Sequence, residues 1–241
     1  MNKIIEICAA TLQSAVVAQR AGADRIELCS ELGCGGVTPS AGVVSVVRRA
    51  LSIPINLLIR PRSGDFVYSS YEAESVLEDI SFCAKAGING VVIGALTHDS
   101  KVDEDICREW LKEAHKKGLS ATFHRAIDCA WDIMEALEKV NSMGYDRVLT
   151  SGGHPTAYEG IEVIRDMVRL SGEKGAVIMA GSGVNPENIR EIATVTGVSE
   201  IHLSASSCYP SQVTVTGGIG TKDPIRHSDP QTIARAIKAL G

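Results

Sequence analysis

Eight short apolar, β-rich runs recur along the chain: KIIEIC, DRIELC, INLLIR, GVVIGA, LSATFH, DRVLTS, AVIMAG and SEIHLS. Each has the length of a buried strand. Between them, apolar residues return at helical spacing, as in 11–21, 39–50, 71–86, 102–117 and 132–143. Several of these segments end in glycine just before the next strand, in RAGADR, KAGING, HKKGLS, SMGYDR and VTGVSE. That is αβ-turn chemistry, because glycine accepts the left-handed cap without steric cost. Eight βα units of roughly 30 residues predict an α/β fold, a single-domain (β/α)8 TIM-type barrel over 1–241. The one long irregular stretch, 205–229, carries Gly217, Gly218 and Gly220 and reads as a mobile lid or an interface arm. A final helix is expected over 230–240, with an N-terminal proline.

Composition narrows the function classes. The 241 residues hold 24 Lys+Arg against 29 Asp+Glu, a net charge of −5, which argues against nucleic acid as a partner. Hydrophobic residues make up 44% and aromatics only 4%, so the core is expected to be aliphatic and close-packed. Glu6 interrupts the apolar start, and the longest uncharged runs contain Gly, Pro, Ser and Thr; no membrane partner and a cytoplasmic location are expected. Seven cysteines, an odd number without CxxC spacing, fit reduced thiols.

In a parallel barrel the active face lies at the C-terminal ends of the strands, so polar residues late in an apolar run are the candidates. IIEIC (4–8) returns as RIELC (25–29), which places Glu6 with Cys8 and Glu27 with Cys29 on one face of two adjacent strands. Two such carboxylates hold a shared proton or a cation, or else pair with arginines. The thiols form a soft site for Cu(I) or Zn(II), or else are small core hydrophobes. Arg60 and Arg62 flank Pro61 after the third strand and suit capture of a carboxylate or phosphate, or charge balance for the glutamates.

The fifth strand ends in TFHRAID, with His124 the first choice for proton transfer, Arg125 on the other face and Asp128 in the following loop. A core histidine satisfied by a carboxylate is the alternative. Ser151, Gly152 and Gly153 after the sixth strand and Gly181, Ser182 and Gly183 after the seventh offer backbone amides, next to His202 and Ser204 on the eighth. Asn185 is expected to cap a helix with Pro186 in its first turn, resembling the phosphate site of barrel enzymes; plain turn chemistry is the alternative. No HExxH, P-loop, GxSxG or strand-end lysine is present, so a Schiff-base aldolase is disfavoured and no organic cofactor is expected.

IEIC (5–8), RIELCSELGCGGVTPS (25–40), RPRSGDFVYS (60–69), TFHRAID (122–128), LTSGG (149–153) and GVNPENI (183–189) together resemble the CutC family of copper homeostasis proteins. Ile127 and the AGSGV segment (180–184) depart from the family's usual residues. The resemblance implies a cytoplasmic barrel, a homo-oligomer such as a dimer or tetramer, and Cu(I) binding, with Cys8 and Cys29 at the positions of the family's suggested copper ligands. A second expectation comes from the residues themselves. Glu6, Glu27, His124 and Asp128 would form the acid/base set of an isomerase or lyase. Its small-molecule ligand, an anionic or sugar-like carbonyl compound, would be held by Arg60, Arg62, Arg125, Ser151, Gly152, Gly181, Gly183, His202 and Ser204. A barrel that binds without turnover is a third.

Overall fold

Strands buried on both faces carry almost unbroken apolar sequence, and that signal marks all eight staves of the barrel. The computed structural model describes residues 3–210 and 225–241. Its strands β1 (Ile4–Ala9), β2 (Arg25–Leu28), β3 (Ile55–Leu58), β4 (Gly90–Ile93), β5 (Ser120–Phe123), β6 (Arg147–Thr150), β7 (Val177–Ala180) and β8 (Glu200–Leu203) run parallel in chain order, and β8 pairs back to β1. The fold is a (β/α)8 TIM barrel, each expected run supplying one strand.

Helices α1 (Leu12–Arg20), α2 (Ala41–Ala50), α3 (Ser70–Ala86), α4 (Glu104–Lys116), α5 (Ile133–Met143), α6 (Ile161–Ser171), α7 (Ile189–Thr196) and α8 (Pro230–Leu240) surround it. Thr11, Ser40, Asp103 and Asp132 each accept a backbone amide at a helix start, and Ser69 with Glu72 completes a capping box on α3. Each such cap contributes about 1 kcal/mol. Gly87 (φ +75) and Gly144 (φ +92) end α3 and α5 in the left-handed region, where a side chain would be strained. Residues facing outward from the strands, such as Ile7, Ile26, Leu57 and Phe123, join Ala15, Val44, Val47 and Ile80 from the helices in one core.

Two expectations change. The helix after β7 begins at Ile189, because the amides of Asn188 and Ile189 both bond to the Asn185 carbonyl and make a tight turn first. The Asn185 side chain caps that turn, accepting from the amides of Glu187 and Asn188. Within 205–229, strands β9 (Ser206–Tyr209) and β10 (Ile225–Ser228) form an antiparallel ribbon where irregular chain was expected. Their polar sequences, SSCY and IRHS, carry no apolar alternation to announce them. Gly217, Gly218 and Gly220 lie outside the described residues. The ribbon is fastened to α1, with the Ser228 amide donating to Ser14 Oγ and Thr11 Oγ1 lying 3.2 Å from His227 Nδ1.

The barrel interior is unusual for its charge. Hydrocarbon layers normally fill this space. Here Arg25 bonds to both Glu6 and Glu200, and Arg147 Nε sits 3.0 Å from Glu200. Asn56 donates to Glu6 at 3.0 Å. Two arginines and two glutamates thus balance in the floor beneath the C-terminal mouth.

Candidate functional site

Above this floor a cavity of about 450 Å³ opens at the C-terminal ends of the strands. Glu27, Cys8, His124, Arg60, Arg125 and His202 line it, together with Ser204, Gly183 and Phe66. Parallel strands aim their last inward residues at this face, which explains why residues from β1, β2, β5 and β8 meet there.

Barrel stagger sets the neighbours. β1 pairs with β2 so that Glu6 faces Arg25 and Cys8 faces Glu27, and the two carboxylates do not sit side by side. Glu6 is fully buried in the floor, with Oε2 accepting from Arg25 and Asn56 and Oε1 lying 2.9 Å from His202 Nδ1. Burial alone would raise its pKa, but the His202 hydrogen bond and the Arg25 charge outweigh it and hold the carboxyl at about 2. An ionised carboxylate only accepts, so His202 Nδ1 carries the hydrogen and Nε2 is left as the free ring nitrogen. The charges of Glu27 and Glu6 and the Glu6 hydrogen bond overcome burial and raise the pKa of His202.

Glu27 behaves differently. Its Oε1 is 3.9 Å from Cys8 Sγ, and its Oε2 is buried without a hydrogen-bond partner among the described residues. Burial, reinforced by the Glu6 charge, pushes this carboxyl up to about 7 against the pull of His202. The Cys8 and Cys29 sulfurs are 3.6 Å apart, and both residues are buried. The bond to Cys29, then burial, raises the Cys8 thiol well above its ordinary value. Among the described residues, Cys8, Glu27 and His202 each bring one ligand atom within 4.8 Å of the others. All seven cysteines are free.

His124 is buried, and its Nδ1 accepts the Ala126 amide, so Nε2 carries the hydrogen; that atom has no partner. Burial and the Arg60 charge push its pKa down to about 3, leaving a neutral hydrogen-bond donor. The ring fits only because position 94 is glycine: a Cβ there would fall 2.9 Å from His124 Nδ1.

The remaining candidates divide. Arg125 lines the cavity, held by Asp128 and by Ser151 Oγ, each at 2.8 Å. Asp128 is occupied as well by Thr150 Oγ1 and by the amides of Ser151 and Gly153, so it positions Arg125 from outside the lining. Gly152 packs on Gly160, where a Cβ would meet a carbonyl at 2.6 Å. Gly181 makes room for Leu149 and His202, while Gly183 reaches the cavity itself. Arg62 turns away to Asp65, Glu72 and the Val67 carbonyl.

Sequence reasoning missed the floor charges Arg25, Arg147 and Glu200. They begin their apolar runs, where polar residues usually face solvent. It also missed Phe66, whose ring lies tilted against that of His124 with the centroids 4.9 Å apart.

The model of the CutC family matches residues 3–207. A CutC family protein of Photobacterium profundum is 44% identical over 239 residues, covering 98% of this chain and 96% of its own. A human protein named copper homeostasis protein cutC homolog is 43% identical over 209 residues, covering 86% of this chain and 75% of its own. A solved CutC structure from Streptococcus agalactiae superposes with a TM-score of 0.78 at 31% identity, over 84% of this chain and 98% of that one. Phosphoribosyl anthranilate isomerase of Thermotoga maritima, at a TM-score of 0.61 and 14% identity over 100% of this chain and 98% of that one, shares the barrel fold alone. Among the described residues, no helix is long and apolar enough to cross a membrane.

Proposed function

The chain belongs to the CutC family, and from that premise we propose that it serves copper homeostasis by binding Cu(I) through Cys8 and Cys29. The carrying observation is the pair of buried sulfurs 3.6 Å apart, close enough for one ion to touch both. Soft sulfur donors suit Cu(I), and the His202 imidazole adds a nitrogen near Cys8. Glu6 fixes that ring through Nδ1, the arrangement metal-binding histidines generally use. Glu27 is a harder oxygen donor and contributes less to this ion.

An anaerobic Cu(I) competition titration of the reduced protein tests the reading. One tightly held ion is expected, weakened about a hundredfold or more in the Cys8→Ser, Cys29→Ser double variant. Coincident curves would remove the thiols from the function. The same reading places the protein in the cytoplasm, where thiols stay reduced. It also takes the protein as a homo-oligomer, dimer or tetramer. Size-exclusion chromatography with light scattering checks the assembly.

A second reading, an isomerase or lyase working by proton transfer, is favoured by the unpartnered Glu27 Oε2 at the mouth of a barrel. Solvent deuterium entering small hydroxy-carbonyl compounds in the presence of the protein, and not of Glu27→Gln, would support it.

A further inference from the structure

The second feature of the cavity is positive charge without a counter-charge. Arg60 is only 5% exposed, yet among the described residues no carboxylate lies within salt-bridge distance of it. Its terminal nitrogens donate to the carbonyls of Cys34, Gly36 and Gly64, its guanidinium lies 4.8 Å over the Phe66 ring, and its Nε has no partner. Carbonyl dipoles fix such a group but do not neutralise it, and a buried charge left unpaired is costly. Next to it His124 holds a buried Nε2–H with nothing to donate to. Arg125 stands on the same lining, fixed by Asp128 and Ser151. The lining carries Arg60, Arg125 and Arg226 and a single acid, Glu27, and of these arginines Arg125 is already paired with Asp128 just outside it.

We propose that the cavity binds a small organic anion, its carboxylate or phosphate oxygens held by Arg125 and the His124 Nε2–H beside the Arg60 charge. The oxyanion supplies the acceptor His124 lacks and the negative charge Arg60 lacks. A volume of about 450 Å³ accommodates a metabolite of modest size. This deepens the proton-transfer reading by naming the anionic end of its substrate, and it is tested without turnover, so either can fail alone. It is distinct from copper binding in its ligand groups, since none of the three is a thiol or hydrogen-bonds to one among the described residues.

The experiment is calorimetric titration of reduced, metal-free protein with inorganic phosphate and, separately, with malate, at constant ionic strength. Saturable one-to-one binding of at least one probe is expected, with phosphate alone or malate alone identifying the kind of oxyanion. Arg125→Gln should weaken that binding about tenfold or more. Arg169→Gln, which removes an equal charge from α6 away from the lining, should leave it unchanged. The Nε2 resonance of His124 should shift with saturation of the site. Failure of both probes to saturate by about 10 mM, too weak for a built site, overturns the proposal. So does equal binding by Arg125→Gln, or an unmoved His124 signal.

Discussion

Glu6 Oε1 and His202 Nδ1 lie 2.9 Å apart across the seam where β8 closes the barrel onto β1, so the carboxylate in the floor orients the imidazole in the cavity above it. Replacing Glu6 by Gln keeps the shape but leaves Arg25 with Glu200 alone. Breaking a buried ion pair costs about 3–5 kcal/mol, to be read from urea unfolding. The same variant should lower the pKa of His202, followed by NMR. An unchanged titration would mean that Glu6 does not govern the ring.

Glu27 should make the protein less stable as pH rises. Its folded pKa of about 7 exceeds its ordinary 4.5, so between these values the folded state holds more protons than the unfolded one. Stability is therefore lost from about pH 4.5 through 7, by roughly 3 kcal/mol once fully ionised. Glu27→Gln removes this dependence and should gain on the wild type between pH 5 and pH 8 in urea melts. A constant difference would place Glu27 in an ordinary carboxylate environment.

Cu(I) must displace the proton that Cys8 holds so firmly. Binding should therefore release protons and tighten as pH rises from 6 to 8, which competition titrations at the two values measure. An affinity independent of pH would argue against the thiols as ligands.

Gly94→Ala puts a methyl against the His124 ring, at 2.9 Å from Nδ1, and Nδ1 accepts the Ala126 amide. The ring has to move, at a cost of about 1–3 kcal/mol in stability. Faster hydrogen exchange of the Ala126 amide than in the wild type should accompany it, whereas equal protection would show that the ring stayed in place.

The strands were legible because burial on both faces leaves little room for polar residues, and the Cys8 and Cys29 pair was legible because IEIC recurs as IELC one βα unit later. The partner of Glu6 was not. Alternation along a strand says which residues share a face, but closure of the barrel decides the stagger between strands, and here it set Arg25 opposite Glu6. Arg62 and Asp128 failed to line the cavity for a related reason: the loops carry local partners, Glu72 for one and the β6 loop amides for the other, that no periodicity announces.

The four charges of the floor are shared evenly between the halves of the chain. β1 and β2 bring Glu6 and Arg25, and β6 and β8 bring Arg147 and Glu200. Each half-barrel can thus collapse with its own floor electrically neutral. Joining the halves costs no new unpaired ion and adds the Arg25–Glu200 contact, between residues 175 positions apart, which a growing chain can make only after its last barrel strand has been synthesised.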